Sequence, residues 1–83
     1  MDLIGLTREL IDIPSVTGDE REVGRFLAAL LARLGYRVET QEVAAGRANV
    51  IAASAGRPRV FLSTHMDTVP PHIASGEDEA FVY

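Results

Sequence analysis

The chain has 83 residues, enough for one small domain, and a chain this short buries only about 60–65% of its unfolded surface. Its formal net charge is −4, its arginines are scattered and it has no lysine. No basic stripe is therefore available for a phosphate backbone, and nucleic-acid binding is not expected. There is no cysteine, which excludes disulfides and thiolate metal sites and leaves His, Asp and Glu as the only metal donors. Asp2 stands where a signal peptide needs basic residues, and no apolar run approaches the ~20 residues of a membrane span. A soluble, cytoplasmic protein with no membrane partner is the default expectation.

Leu3, Leu6, Leu10 and Ile13 recur at three- and four-residue steps, and Ile4 and Ile11 widen the same helical face. Pro14 disfavours helical geometry in the residue before it, so a first helix is predicted to end near Ile13. Thr17-Gly18-Asp19-Glu20 fits a capping box, with Asp19, Glu20 and Glu22 at the positive end of a second helix dipole. Val23, Phe26, Leu27, Leu30, Leu31 and Leu34 follow at helical spacing. Gly35 sits where a left-handed residue closes such a helix.

From Tyr36 the period falls to two, with Tyr36, Val38 and Thr40 alternating with Arg37, Glu39 and Gln41. Ala44 to Ala48 can turn the chain, and Asn49 to Ala53 reads as an antiparallel partner strand. After another turn through Gly56 and Pro58, Arg59 to Thr64 reads as a short buried strand. Residues 72–79 are polar and loop-like, and Ala80 to Tyr83 opens a further apolar run. A chain that stops as a strand begins reads as a truncation. The fold class expected is α/β, with two N-terminal helices packed on a mixed β-sheet.

Chemistry concentrates at the end of the Arg59–Thr64 run. Side chains alternate faces in an extended segment, so His65 and Asp67 should point the same way, roughly 7 Å apart at Cα. An imidazole and a carboxylate presented together suit a metal ligand with its orienting partner. Pro70 and Pro71 then end regular pairing. The plainer reading makes His65 a core histidine satisfied by backbone and Asp67 a turn former. Position favours function, because active-site loops of α/β sheets gather where strands end. A Ser63-His65-Asp67 relay is rejected, since triad members must touch and ~7 Å steps along a strand forbid it. His72 reads as a solvated loop residue, and the isolated glycines make no phosphate cradle.

The segment Leu62-Ser63-Thr64-His65-Met66-Asp67-Thr68-Val69-Pro70 resembles the first metal-site motif of the co-catalytic zinc aminoacylase and carboxypeptidase family. That family includes acetylornithine deacetylase, succinyl-diaminopimelate desuccinylase and glutamate carboxypeptidase. Ile13 to Glu20, the leucine-rich helix, Leu34-Gly35-Tyr36 and Asn49-Val50-Ile51 resemble the family's opening in order and spacing. By that resemblance His65 matches the first metal-ligand histidine. Asp67 matches the catalytic aspartate that orients this histidine without ligating, which fixes its tautomer and raises its basicity. The resemblance further implies two zinc ions (cobalt or manganese as substitutes) and an N-acyl amino acid or small-peptide substrate whose amide bond is cleaved by activated water.

The bridging aspartate, the general-base glutamate and the remaining ligands of that family match nothing in residues 1–83. Neither does its inserted lid and dimerisation domain. The expectation is therefore the N-terminal part of a metallohydrolase catalytic domain, inactive alone and a possible homodimer when full length. Ala80 to Tyr83 resembles the short strand that in the family runs into Gly-Arg-Gly and then an aspartate. A single-metal hydrolase, or a self-contained non-enzymatic α/β binding module with a structural His-x-Asp, are the alternatives.

Overall fold

A computed structural model describes residues 1–83. It contains two helices, α1 (Leu3–Asp12) and α2 (Arg21–Arg33), and two strands, β1 (Arg37–Ala44) and β2 (Arg47–Ala53). Helix α1 starts because the Asp2 carboxylate accepts the Gly5 N–H at 3.0 Å, satisfying one of the free donors of the first turn. It stops at Asp12 because Ile13, which precedes Pro14, is extended at φ −82° and ψ 113°.

Helix α2 begins later than a capping box at Thr17 implies. Glu20 is its N-cap residue and makes no side-chain cap hydrogen bond. The two side chains of the expected box are engaged elsewhere: Thr17 donates to Asp67 at 2.8 Å, and Glu20 accepts from Arg47 and from the Gly18 N–H. The other end is as predicted. Gly35 lies at φ 95°, its N–H donates to the Ala32 carbonyl, and the Tyr36 N–H donates to the Leu31 carbonyl. These two bonds close α2 in a Schellman motif that glycine accommodates without a Cβ penalty.

Strands β1 and β2 form an antiparallel hairpin turned through Ala45 and Gly46, with Arg37 opposite Ala53 and Gln41 opposite Asn49. The register shifts between Glu42 and Ala44, which leaves Val43 as the extra residue of a bulge. Helix α2 lies against both strands, whereas α1 makes no comparable contact with them. Val50 of strand β2 and Met66 both pack on α2 at Gly24, where a Cβ would stand at ordinary contact distance, 3.9 Å, from Val50 Cγ2 and Met66 Cε. That contact seats the middle residue of His65-Met66-Asp67 against α2.

The α/β class is as expected, but the sheet is confined to the β1–β2 pair. Residues Arg59 to Thr64 are not a buried strand. They join no ladder, and Val60, Phe61 and Leu62 are 76%, 86% and 89% exposed. An apolar run becomes a strand only where a neighbour satisfies its backbone groups, and β1 and β2 pair only with each other. Beyond it the chain rejoins the body through a parallel bridge between Val16 and Thr68. The apolar end forms a small turn of its own, with Glu77 bridged antiparallel to Val82 and the Asp78 carboxylate accepting the Ala80 and Phe81 N–H groups at 2.8 Å. Arg8 and Asp12 of α1 hold this tail through Ser75 and Glu77.

Apolar burial is slight. Val23 is the only buried apolar residue, and the accessible surface is 6735 Å², against about 4,900 Å² for a folded monomer of this mass. The radius of gyration is 14.0 Å, against roughly 12 Å for a compact domain of this length. No helix is long and apolar enough to cross a membrane. The exposed Val60-Phe61-Leu62 run is a template for edge pairing. Sedimentation of the chain across a dilution series should show concentration-dependent association, reduced in the double variant Phe61→Asp/Leu62→Asp. A monomer at every concentration, with a sharp reversible thermal transition, contradicts this.

Candidate functional site

His65 and Asp67 are brought together, more closely than their spacing along an extended chain suggests. His65 Nδ1 lies 3.1 Å from Asp67 Oδ1 and 2.9 Å from the Asp67 carbonyl oxygen. Both neighbours only accept, so Nδ1 carries the proton and donates, and the lone pair belongs to Nε2. Nε2 has no hydrogen-bond partner within the chain, and the imidazole is 82% exposed. Between His65 and Asp67, Met66 lies against α2 at Gly24.

The Asp67 carboxylate is held at both ends. Oδ1 faces His65, and Oδ2 accepts the Thr17 hydroxyl at 2.8 Å. This donation from Thr17 is the largest influence keeping the Asp67 carboxyl below its ordinary range. Partial desolvation opposes it, and attraction to His65 adds to it. Thr17 is fixed in turn by backbone: its N–H donates to the Thr68 carbonyl at 3.1 Å, and the Thr68 N–H donates to the Ser15 carbonyl at 2.9 Å. Ser15 is among the few buried residues of the chain.

A second polar cluster adjoins this one. Arg47, at the start of β2, makes a two-pronged contact with Glu20, Nε to Oε2 at 2.9 Å and Nη2 to Oε1 at 2.8 Å. The Glu20 side chain is only 8% exposed, so the pair holds the entry to α2 against the hairpin. Arg47 also lies within electrostatic reach of Asp67. Sequence reasoning placed Arg47 in a turn and Thr17 in a helix cap. No local signal in the sequence links Glu20 to Arg47 or Thr17 to Asp67.

The remaining residues weighed from sequence stay apart from this pair. Ser63 is exposed and makes no side-chain hydrogen bond to His65, so a serine relay is not assembled. His72 is exposed and lines a separate cleft of about 240 Å³ with Leu10, Ile11 and Ile73. An imidazole Nε2 backed by a carboxylate fits a zinc ligand with its orienting partner. No three His, Asp or Glu side chains lie close enough to share an ion, so the residues present supply one donor where stable zinc sites use three or four.

Several curated proteins similar to this chain are named probable carboxypeptidases. The chain is 41% identical over 75 residues to a probable carboxypeptidase of Emericella nidulans, a match covering 84% of this chain and 18% of that protein. It is 41% identical over 80 residues to a probable carboxypeptidase of Talaromyces marneffei, covering 86% and 18% of the two chains. A probable carboxypeptidase of Aspergillus niger is 38% identical over 80 residues, covering 83% and 19%. The chain thus spans less than a fifth of the length of these curated relatives. No family model matches it, and no solved structure does.

The Glu20–Arg47 contact has a pH consequence. The Arg47 guanidinium first, and the Gly18 N–H second, lower the Glu20 carboxyl from an ordinary 4.5 to about 2. A carboxyl depressed on folding contributes stability that is fully present above its unfolded pKa and is lost as pH falls through the folded one. The window is therefore about pH 4.5 down to 2. Thermal melts at stepped pH should show wild type losing more stability across this window than Glu20→Gln, which is less stable at neutral pH. Parallel pH profiles for the two proteins contradict the contact.

Proposed function

We propose that residues 1–83 form the N-terminal part of the catalytic domain of a metal-dependent amidohydrolase of the co-catalytic zinc aminoacylase and carboxypeptidase family. Its reaction is hydrolysis of the amide bond of an N-acyl amino acid or small peptide, in the cytoplasm. The observation that carries this reading is the outward Nε2 of His65, with the Asp67 carboxylate behind Nδ1, in a chain about 40% identical to proteins named carboxypeptidases. The large accessible surface and the unpaired Val60–Leu62 run support a domain whose core includes residues outside this stretch, and weigh against a self-contained binding module.

In this reading His65 offers Nε2 to one of two zinc ions, with cobalt or manganese as substitutes. Asp67 holds the proton on Nδ1, so that Nε2 presents its lone pair and the ring cannot flip. Thr17 engages the second Asp67 oxygen, so that both carboxylate oxygens are held within the chain. Bound zinc supplies the electrophile that polarises the scissile carbonyl and activates the attacking water. The general base and the other donors come from outside residues 1–83.

Metal analysis of the full-length protein tests this. About two equivalents of zinc or cobalt per chain are expected, and His65→Ala should lose metal and activity together. Asp67→Asn should keep much of the metal while kcat falls on the order of 10–100-fold, the usual cost of removing a ligand's hydrogen-bond partner. A metal-free active enzyme, or an Asp67→Asn variant within a few-fold of wild type, contradicts the assignment.

A further inference from the structure

We infer that Thr17 is a positioning residue for the metal-ligand histidine, acting through Asp67: its hydroxyl fixes the carboxylate against His65 Nδ1. The inference rests on the reading of His65 as a ligand and Asp67 as its orienting partner. It adds a residue fifty positions upstream, in the connector between the helices, that takes part in setting the ligand's geometry.

Three observations carry it. A carboxylate with one oxygen on an imidazole still rotates about its Cβ–Cγ bond and changes side-chain rotamer. Asp67 is denied both motions because its second oxygen is taken by Thr17 at 2.8 Å. The hydroxyl has a competing acceptor, the Thr68 carbonyl, but that oxygen is 3.4 Å away. A hydroxyl has one proton to give, and the shorter contact to a charged acceptor wins it. Finally, Thr17 cannot drift from Asp67, because the Thr17 N–H to Thr68 carbonyl and Thr68 N–H to Ser15 carbonyl bonds lock the two segments side by side. The hydroxyl is therefore delivered by backbone pairing, with little side-chain freedom left to lose.

The geometry also sets what each substitution does. Thr17→Val keeps the β-branched shape and removes the hydroxyl. Thr17→Ser keeps the hydroxyl and removes a methyl group. If Thr17 served only the fold, stability would follow shape and the rotamer of Asp67 would not respond. If it positions Asp67, the rotamer follows the hydroxyl.

Nuclear magnetic resonance of the labelled chain, carried throughout in the Phe61→Asp/Leu62→Asp background that suppresses association, reads this directly. His65 and His72 are its only histidines, so two ring systems are assigned with a His72→Gln variant. At a pH where the rings are neutral, wild type should show three-bond couplings of a single Asp67 χ1 rotamer. Its His65 Nδ1 should resonate as a protonated ring nitrogen and Nε2 as a bare one. In Thr17→Val the Asp67 couplings should average, and the His65 Nδ1 shift should move as its proton is left to the Asp67 backbone carbonyl alone. Thr17→Ser should return both to wild-type values. Unchanged couplings in Thr17→Val, or a loss that Thr17→Ser does not repair, overturn the inference. If Thr17→Val also loses helical circular dichroism, the Thr17→Ser couplings decide: wild-type values uphold it and averaged values overturn it. Asp67→Asn separates this from the reading beneath it. If Asp67→Asn moves the His65 shifts and Thr17→Val does not, only the role of Thr17 fails. If neither moves them, the His65–Asp67 coupling itself fails, and the inference with it.

Discussion

The pairing of residues 15–17 with Thr68 is the constraint on which the placement of the site depends. The segment after β2 has no strand partner, its apolar residues face outward, and nothing in a conventional core holds it. Two backbone hydrogen bonds at 3.1 and 2.9 Å, from Thr17 to Thr68 and from Thr68 to Ser15, return it to the body of the molecule. They close a loop of some fifty residues, yet closure entropy grows only logarithmically, by about 0.6 kcal/mol per doubling of length. A pair of hydrogen bonds supported by Met66 against α2 is thus a reasonable counterweight.

The connector between the helices is consequently more than a link. At one end Pro14 stops α1. At the other Glu20, held by Arg47, ties the start of α2 to the hairpin. Between them Ser15 and Thr17 receive the His65 segment. Two parts of the chain distant in sequence, the hairpin and the His65 segment, meet on these seven residues, and two of the seven, Ser15 and Glu20, are buried although polar. Buried polar groups persist where every donor and acceptor is matched, and no buried side-chain nitrogen or oxygen is left without a partner here.

Local rules were legible in the sequence and distant ones were not. Pro14 and Gly35 marked helix ends that the structure reproduces, because their effects act on the backbone within one or two residues. The alternation from Tyr36 onward foretold an antiparallel hairpin for the same reason, with β2 starting at Arg47 and not Asn49. A shared face for His65 and Asp67 followed from period two. Their direct contact at 3.1 Å did not, because ~7 Å steps along an extended chain were expected to keep such side chains apart. Thr17 and Glu20 illustrate the opposite case. Their spacing satisfies a capping box, but Asp67 and Arg47 outbid the helix terminus for the same atoms, and nothing in a local window records that competition. Arg59 to Thr64 shows a third limit: apolar composition indicates that a segment seeks cover, while its pairing depends on a neighbouring edge.

On the proposed reading, what the chain contributes to a metal site is a single histidine with its direction fixed. The ring is set by Asp67, Asp67 by Thr17, and Thr17 by the backbone of Thr68, so each member of the series is held by the next. Preorganisation of this kind lets a donor meet an ion without reorganising first. The most direct measurement is a crystal structure of the full-length protein with anomalous scattering at the zinc edge. It should place a metal about 2.0–2.1 Å from His65 Nε2, with Asp67 on Nδ1 and outside the coordination sphere. A metal bound through Nδ1 or through Asp67, or no metal near His65, would contradict the account.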